Sequence, residues 1–223
     1  MTTPKTPTPI STSRNNPVEV VLGIDPGLAD TGWAVIVQPE GGGVPLLRDA
    51  GIVKTSAGSP LPSRLAAIYA RVTEIIERHR PRRVAIEELF FLKAAKSVSA
   101  VSQARGVIIL AASHAGSDVF EYNPRQVKST LTGNGKAPKP QMQKMVQHLL
   151  HLAHPPHPDD VADAMAIALC HLRFERLNRM IAAGGGRPGG GPPLVPGPEA
   201  PALVAPEALS RDRRSPKHLG GGG

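Results

Sequence analysis

The sequence predicts an α/β fold: one domain built on a five-stranded mixed sheet with helices on both faces. Two observations carry this. Three apolar, β-branched runs follow one another closely near the N-terminus, and two further runs alternate with helical segments. Short connections favour antiparallel neighbours and strand–helix–strand units favour parallel ones, so the sheet should be mixed. A third observation sets the scale: at 223 residues the chain suits one domain plus appendages, and it can bury a real core.

The elements follow in order. "VEVVLGI" (18–24) is short and apolar and reads as a strand buried on both faces. "TGWAVIV" (31–37) lies close enough behind it to pair antiparallel. "GGGVP" makes a turn, and "LLRDAGIVKT" (46–55) gives a third strand. "SRLAAIYARVTEIIERH" places Leu65, Ile68, Val72, Ile75 and Ile76 on one helical face. "RRVAIEELF" is strand-like again. "SVSAVSQARGVIILAASHAG" is an apolar-faced helix stopping at Gly116, and "SDVFEYN" is a fifth strand. A loop, "LTGNGKAPKP", precedes the helical "QMQKMVQHLLHL". The last helix starts at Asp159. If the first and fourth strands are neighbours, their ends share one edge of the domain.

Residues 1–17 are rich in Pro, Thr and Ser and have little to bury, so they read as a disordered extension. The ordered domain spans 18–182. Residues 183–223 form a Gly/Pro-rich tail with a basic patch at Arg211, Arg213 and Arg214. The net charge is +8, which favours a polyanionic partner. Between Glu19 and Leu177, however, 18 Lys/Arg face 15 Asp/Glu, so most of the excess lies in the tails. The single cysteine, Cys170, excludes a disulfide framework within one chain and fits a reducing compartment. No apolar run is long enough to span a membrane, and no signal peptide opens the chain, so a cytoplasmic protein is expected. His148, His151, His154 and His157 read as surface residues, since no cysteine supports a zinc site.

Four carboxylates break the pattern. Asp25 ends the first strand and Glu87 ends the apolar run Val84, Ala85, Ile86 of the fourth. An unpaired ionised carboxylate in such a place is costly. Each alone has bland readings: a strand-end side chain reaching solvent, or half of a buried ion pair. Asp160 and Asp163 are spaced to share one face at the start of the last helix. An acidic first turn suits the helix dipole and accounts for Asp159 and Asp160. It accounts poorly for Asp163, which lies at the edge of the apolar pattern of Val161, Met165 and Ala168. Four such charges converging at one end of the sheet repel unless a divalent cation joins them. All-oxygen ligands favour Mg²⁺ or Mn²⁺, and two such ions ~4 Å apart suit displacement at a phosphate.

"GIDPG", "AIEELFF", "QARGV", "FEYNPRQVK" and "DDVADAMAIA" occur in this order, and over residues 19–175 the chain resembles the RuvC-type Holliday junction resolvases. The resemblance implies a ribonuclease H-like fold and a homodimer that nicks opposed strands of four-way junction DNA in recombination and repair, leaving 5′-phosphates. It implies Asp25, Glu87, Asp160 and Asp163 as catalytic metal ligands, holding two Mg²⁺ or Mn²⁺ ions. It matches Lys128 and Lys139 to lysines that reach the active site; Pro140 and the two tails depart from the family pattern. Phe90 matches an aromatic near the junction centre, with Phe91 a second candidate. One of the pair should pack inward and the other, Phe90, should stack on a base. Lys93, Lys96, Arg105, Arg125 and Lys136 are further candidate DNA contacts, with plain surface charge the other reading. The helix from Ser97 to Ala115 is the implied dimer interface, and Val98, Val101, Val107, Ile108 and Leu110 give it a broad apolar surface. A RuvA-RuvB branch-migration complex is the implied protein partner.

Other readings stay open from the sequence. An actin-like or sugar-kinase ATPase also opens with a strand, an Asp and a Gly turn, but needs two such domains. A non-catalytic junction-binding module need not keep four costly carboxylates. Another ribonuclease H-like nuclease shares the chemistry.

Overall fold

In the computed structural model, the described residues are 18–39, 43–88 and 95–185, with the side chains of 95–98 left aside. The N-terminal extension, nearly all of the basic tail, Phe90, Phe91 and Lys93 fall outside them, as do the side chains of Lys96 and Val98. The chain runs β1 (Val18–Asp25), β2 (Asp30–Pro39), β3 (Leu46–Lys54), α1 (Leu61–His79), β4 (Arg83–Glu87), α2 (Ala95–His114), β5 (Asp118–Tyr122), α3 (Pro124–Thr132), α4 (Lys139–Leu149) and α5 (Asp159–Ala183). No helix among the described residues is long and apolar enough to cross a membrane.

The sheet order is β3-β2-β1-β4-β5. The first three strands form an antiparallel meander, and β1–β4 and β4–β5 pair parallel, so the sheet is mixed as expected. Alternate residues of β1 face opposite cores. Leu22 and Ile24 pack with Ile68, Val72 and Ile75 of α1 and Ala104 and Ile108 of α2. Val21 packs on the other side with Ala164, Ile167 and Ala168 of α5 and with the apolar residues of α3 and α4. Both faces are therefore covered, and the apolar runs of β1 and β4 are explained.

One helix escaped the sequence reading. After β5 the sequence suggests a loop and two helices; the described residues there form three. Helix α3 is nine residues long and buries only Val127 and Leu131, too few for periodicity to register. Its ends are nevertheless written in the chain. The Asn123 side chain accepts a hydrogen bond from the Arg125 N–H at 2.9 Å, Pro124 opens the first turn, and Gly133 closes the helix at φ 76°. Helix α4 also begins earlier than expected, so Lys139 opens a helix instead of sitting in a loop.

Helix α5 is packed so tightly that its polar sequence positions are informative. Residues Val161 to Leu172 are buried apart from Asp163, and they include His171. His171 Nδ1 and Tyr122 Oη are hydrogen-bonded at 2.8 Å, tying the helix to β5. Burial, helped by the charges of Arg83 and Arg179, holds the His171 imidazole down to about 3, so it is neutral in the core. The helix lies directly on strand backbone. A Cβ at Gly23 would fall 2.1 Å from the Ala164 carbonyl oxygen, and one at Gly32 would fall 2.0 Å from that of Asp160. Only hydrogen fits there. Gly32→Ala should therefore lift the start of α5 and cost about 1–3 kcal/mol of stability. Urea denaturation followed by circular dichroism checks this; an unchanged midpoint would contradict the close contact.

Candidate active site

Two strand ends and one helix start meet on the α5 side of the sheet. Asp25 is the last residue of β1 and pairs with Gly32 of β2. Ile24 pairs with Ile86 of β4, so Asp25 and Glu87 sit one step beyond in register and point to the same face. Gly32 brings the backbone of Asp160 into contact with that edge. The first turn of α5 then carries Asp160 and Asp163 toward Asp25. The neighbouring strands and the two acid pairs thus come together as the spacing requires.

The electrostatics report the convergence. The Asp25 carboxyl is pushed up to about 8, first by burial, then by the charges of Glu87, Asp163 and Asp160 and a hydrogen bond with Glu87. A hydrogen bond between two carboxyls requires one shared proton. Burial also raises Asp163, against the opposing pull of Lys139 and Lys128. Among the described residues no three His, Cys, Asp or Glu side chains close into a metal-ligand shell. The four acids are near neighbours: Glu87 is hydrogen-bonded to Asp25, and Asp160 and Asp163 lie within electrostatic range of it. Asp25 senses the other three, and every donor is a carboxylate oxygen, so the set fits a hard divalent cation and no softer metal.

The cationic side of the site comes from α3 and α4. Half-buried Lys128, on α3, lies within electrostatic range of Asp163. Lys139 Nζ, at the start of α4, is 3.0 Å from Asp159 Oδ2 and 3.8 Å from Asp163 Oδ2. Arg125 and Lys136 are exposed on the same α3–α4 segment. Arg105 has a different setting: it is largely buried on α2 and ion-paired with Glu121 of β5. Its guanidinium is thus already engaged, which fits a structural tie better than an open phosphate clamp. The sequence reading left two residues without a role here. Asp159 passed as a dipole-favouring acid, yet its carboxylate binds both Lys139 and Gln143. The spacing of Lys139 and Gln143, one helical turn apart, was the available signal.

Asp25 also sets a stability trend. A carboxyl raised in the folded state stabilises fully below its unfolded value, and the benefit is lost as pH rises through about 8. Asp25→Asn removes that ionisation. With divalent cations chelated, the variant should be more stable than the wild type at pH 8 by at least ~1 kcal/mol, and the difference should shrink toward pH 4. Thermal unfolding across that range checks it; a variant less stable than the wild type at pH 8 would contradict the crowding of charge.

Known proteins match the chain over this region. Residues 21–171 match the model of a family described as crossover junction endodeoxyribonuclease RuvC. A protein of that name from Moorella thermoacetica is 50% identical over 155 residues, covering 70% of this chain and 92% of its own. The structure of Thermus thermophilus RuvC in complex with Holliday junction substrate is 40% identical, with a TM-score of 0.68, covering 72% of this chain and 96% of that one. The yeast mitochondrial Holliday junction resolvase, at 14% identity and a TM-score of 0.57 over 77% of this chain and 87% of its own, shares the fold. With the family model spanning most of its length and half of the aligned residues identical to a named relative, the chain belongs to the crossover junction endodeoxyribonuclease RuvC family.

Proposed function

We propose that Asp25, Glu87, Asp160 and Asp163 form the centre at which this chain hydrolyses phosphodiesters of four-way junction DNA. The observation that carries the reading is the meeting of four acids at one sheet end: Asp25 and Glu87 sit in register on the paired strands β1 and β4, and the start of α5, with Asp160 and Asp163, rests against β2 at Gly32. Evolution tolerates such a cost where it serves chemistry. These four side chains would hold Mg²⁺ or Mn²⁺, with two ions per site. When bound, such ions stabilise the attacking and leaving oxygens of a phosphate displacement.

The protein's own groups do the rest. Water adds to phosphorus, the bond to the 3′ oxygen breaks, and the products are a 5′-phosphate and a 3′-hydroxyl. Lys128 and Lys139 face the phosphate as negative charge gathers on it, and a fixed cation in that position lowers the barrier. The rigid sheet end fixes Asp25 and Glu87, so little reorganisation is needed during reaction. Arg125 and Lys136 would take backbone phosphates of the DNA. Phe90 or Phe91, just after β4 in sequence, would stack on an unpaired base near the crossover.

Two opposed nicks need two centres, and a C₂ dimer supplies them. Helix α2 is the proposed interface. Leu110 is 47% exposed there, whereas Ile108 faces the core. A RuvA-RuvB branch-migration complex as partner and a cytoplasmic setting belong to the same reading and rest on the family resemblance.

Asp163→Asn tests it. The variant should cleave a synthetic four-way junction at least ~100-fold more slowly in Mg²⁺ or Mn²⁺, because a ligand charge is lost at the reacting centre. Junction affinity in a gel-shift titration should stay within about threefold, since phosphate contacts dominate binding. Cleavage at the wild-type rate would remove Asp163 from the centre.

A further inference from the structure

Lys139 sits between two carboxylates, and only one of them belongs to the quartet. Its Nζ donates to Asp159 Oδ2 at 3.0 Å and lies 3.8 Å from Asp163 Oδ2. The other Asp159 oxygen, Oδ1, accepts from Gln143 Nε2 at 3.0 Å. Lys139 and Gln143 are one helical turn apart on α4, so both reach across to the same carboxylate at the start of α5. A small cleft between the two helix starts is lined by Lys139, Met142, Gln143, Asp159, Ala162 and Asp163.

The arrangement is a poor stabilising device. Both partners are exposed, at 60% and 50% of their side chains, and exposed pairs contribute little to folding. It makes sense as control of where one ammonium goes. Without Asp159, the nearest carboxylate for Lys139 is Asp163. A direct ion pair there would neutralise Asp163 and compete with any cation for its oxygens.

We infer that Asp159, braced by Gln143, is a positioning residue that holds Lys139 off Asp163, keeping Asp163 open to a divalent cation and the ammonium beside the reacting phosphate. This rests on the proposed cation-binding role of Asp163. Asp159 is not one of the four proposed ligands, and its carboxylate is engaged by Lys139 and Gln143, so its proposed effect passes through Lys139.

A double-mutant cycle on Mn²⁺ binding separates this from simple loss of negative charge. Calorimetric titration of the full-length protein with Mn²⁺ alone, without DNA, gives the affinities. Asp159→Asn should weaken binding about three- to tenfold. In a Lys139→Ala background the same substitution should change affinity by less than about twofold, because no ammonium remains to fall onto Asp163. Gln143→Ala should weaken binding in the same direction, by less. Equal weakening in both backgrounds would mean that Asp159 acts as a bulk negative charge, and would overturn the inference. So would unchanged binding by Asp159→Asn while the wild type binds. If the wild type gives no saturable Mn²⁺ binding, the cation reading of the quartet fails first, and the inference with it. Thermal unfolding of each variant, expected within about 2 °C of the wild type, establishes that the affinities compare folded proteins.

Discussion

Helix α5 can lie on this sheet only where the sheet offers no side chains, and the rest of the site depends on that contact. Gly23 and Gly32 lie on the paired strands β1 and β2, two residues out of register, and the backbone oxygens of Ala164 and Asp160 occupy the space a Cβ would need. Close-packed interiors transmit such constraints without slack. Moving α5 outward by the width of a methyl group would carry Asp160 and Asp163 away from Asp25 together. The helix is fastened elsewhere as well. Tyr122 meets His171 in mid-helix, while Arg83 bridges Glu19 and Glu175 and Arg179 reaches Glu19 at the far end. The exposed members of that network contribute little individually, but they act at the end opposite the acids, where they resist tilting.

The gathered acids work against folding. Burial and three like-charged neighbours all raise Asp25, so the sheet end is held in place by the apolar contacts of Leu22, Ile24, Val84 and Ile86, each fully buried on the opposite face or between strands. The compensating charges do not come from the sheet. Lys128 and Lys139 arrive on α3 and α4, inserted between β5 and α5. The fold thus separates two tasks: strands and α5 fix the anionic groups, and a shorter pair of helices brings cationic ones to their rim.

Much of this was legible in the sequence because each signal had a strong physical cause. Buried parallel strands need unbroken apolar runs, so Asp25 and Glu87 stood out against "VVLGI" and "RVAI" as charges in the wrong place. Asp163 stood out because it interrupted a helix that is otherwise buried over several turns. What escaped depended on contacts between segments distant in sequence. Helix α3 has only two buried residues, and its caps, Asn123 and Gly133, were the better evidence. Nothing local to Gly23 and Gly32 in the sequence signals that α5 rests on them. Arg105 read as a free cation, since nothing in "QARGV" reveals Glu121 across the α2–β5 interface. Asp159 had a sufficient local explanation in the helix dipole, which concealed a contact made twenty residues away.

The two lysines reach the acids by different physical means. Lys128 lies inside a helix capped at both ends and is half-buried, so its position follows from the backbone and from packing around Val127 and Leu131. Lys139 opens a helix whose N-cap, Pro138, offers no side-chain hydrogen bond, and most of its side chain is in solvent. A long, flexible, exposed side chain keeps its rotamer freedom unless something holds its tip. Packing therefore cannot place Lys139, and charge must. The group that takes its ammonium is an acid one residue ahead of the quartet. A scaffold of this kind can hold one cation rigidly over the acids while leaving the other able to exchange a protein carboxylate for a phosphate, because the second is secured by a hydrogen bond in water and the first by the core.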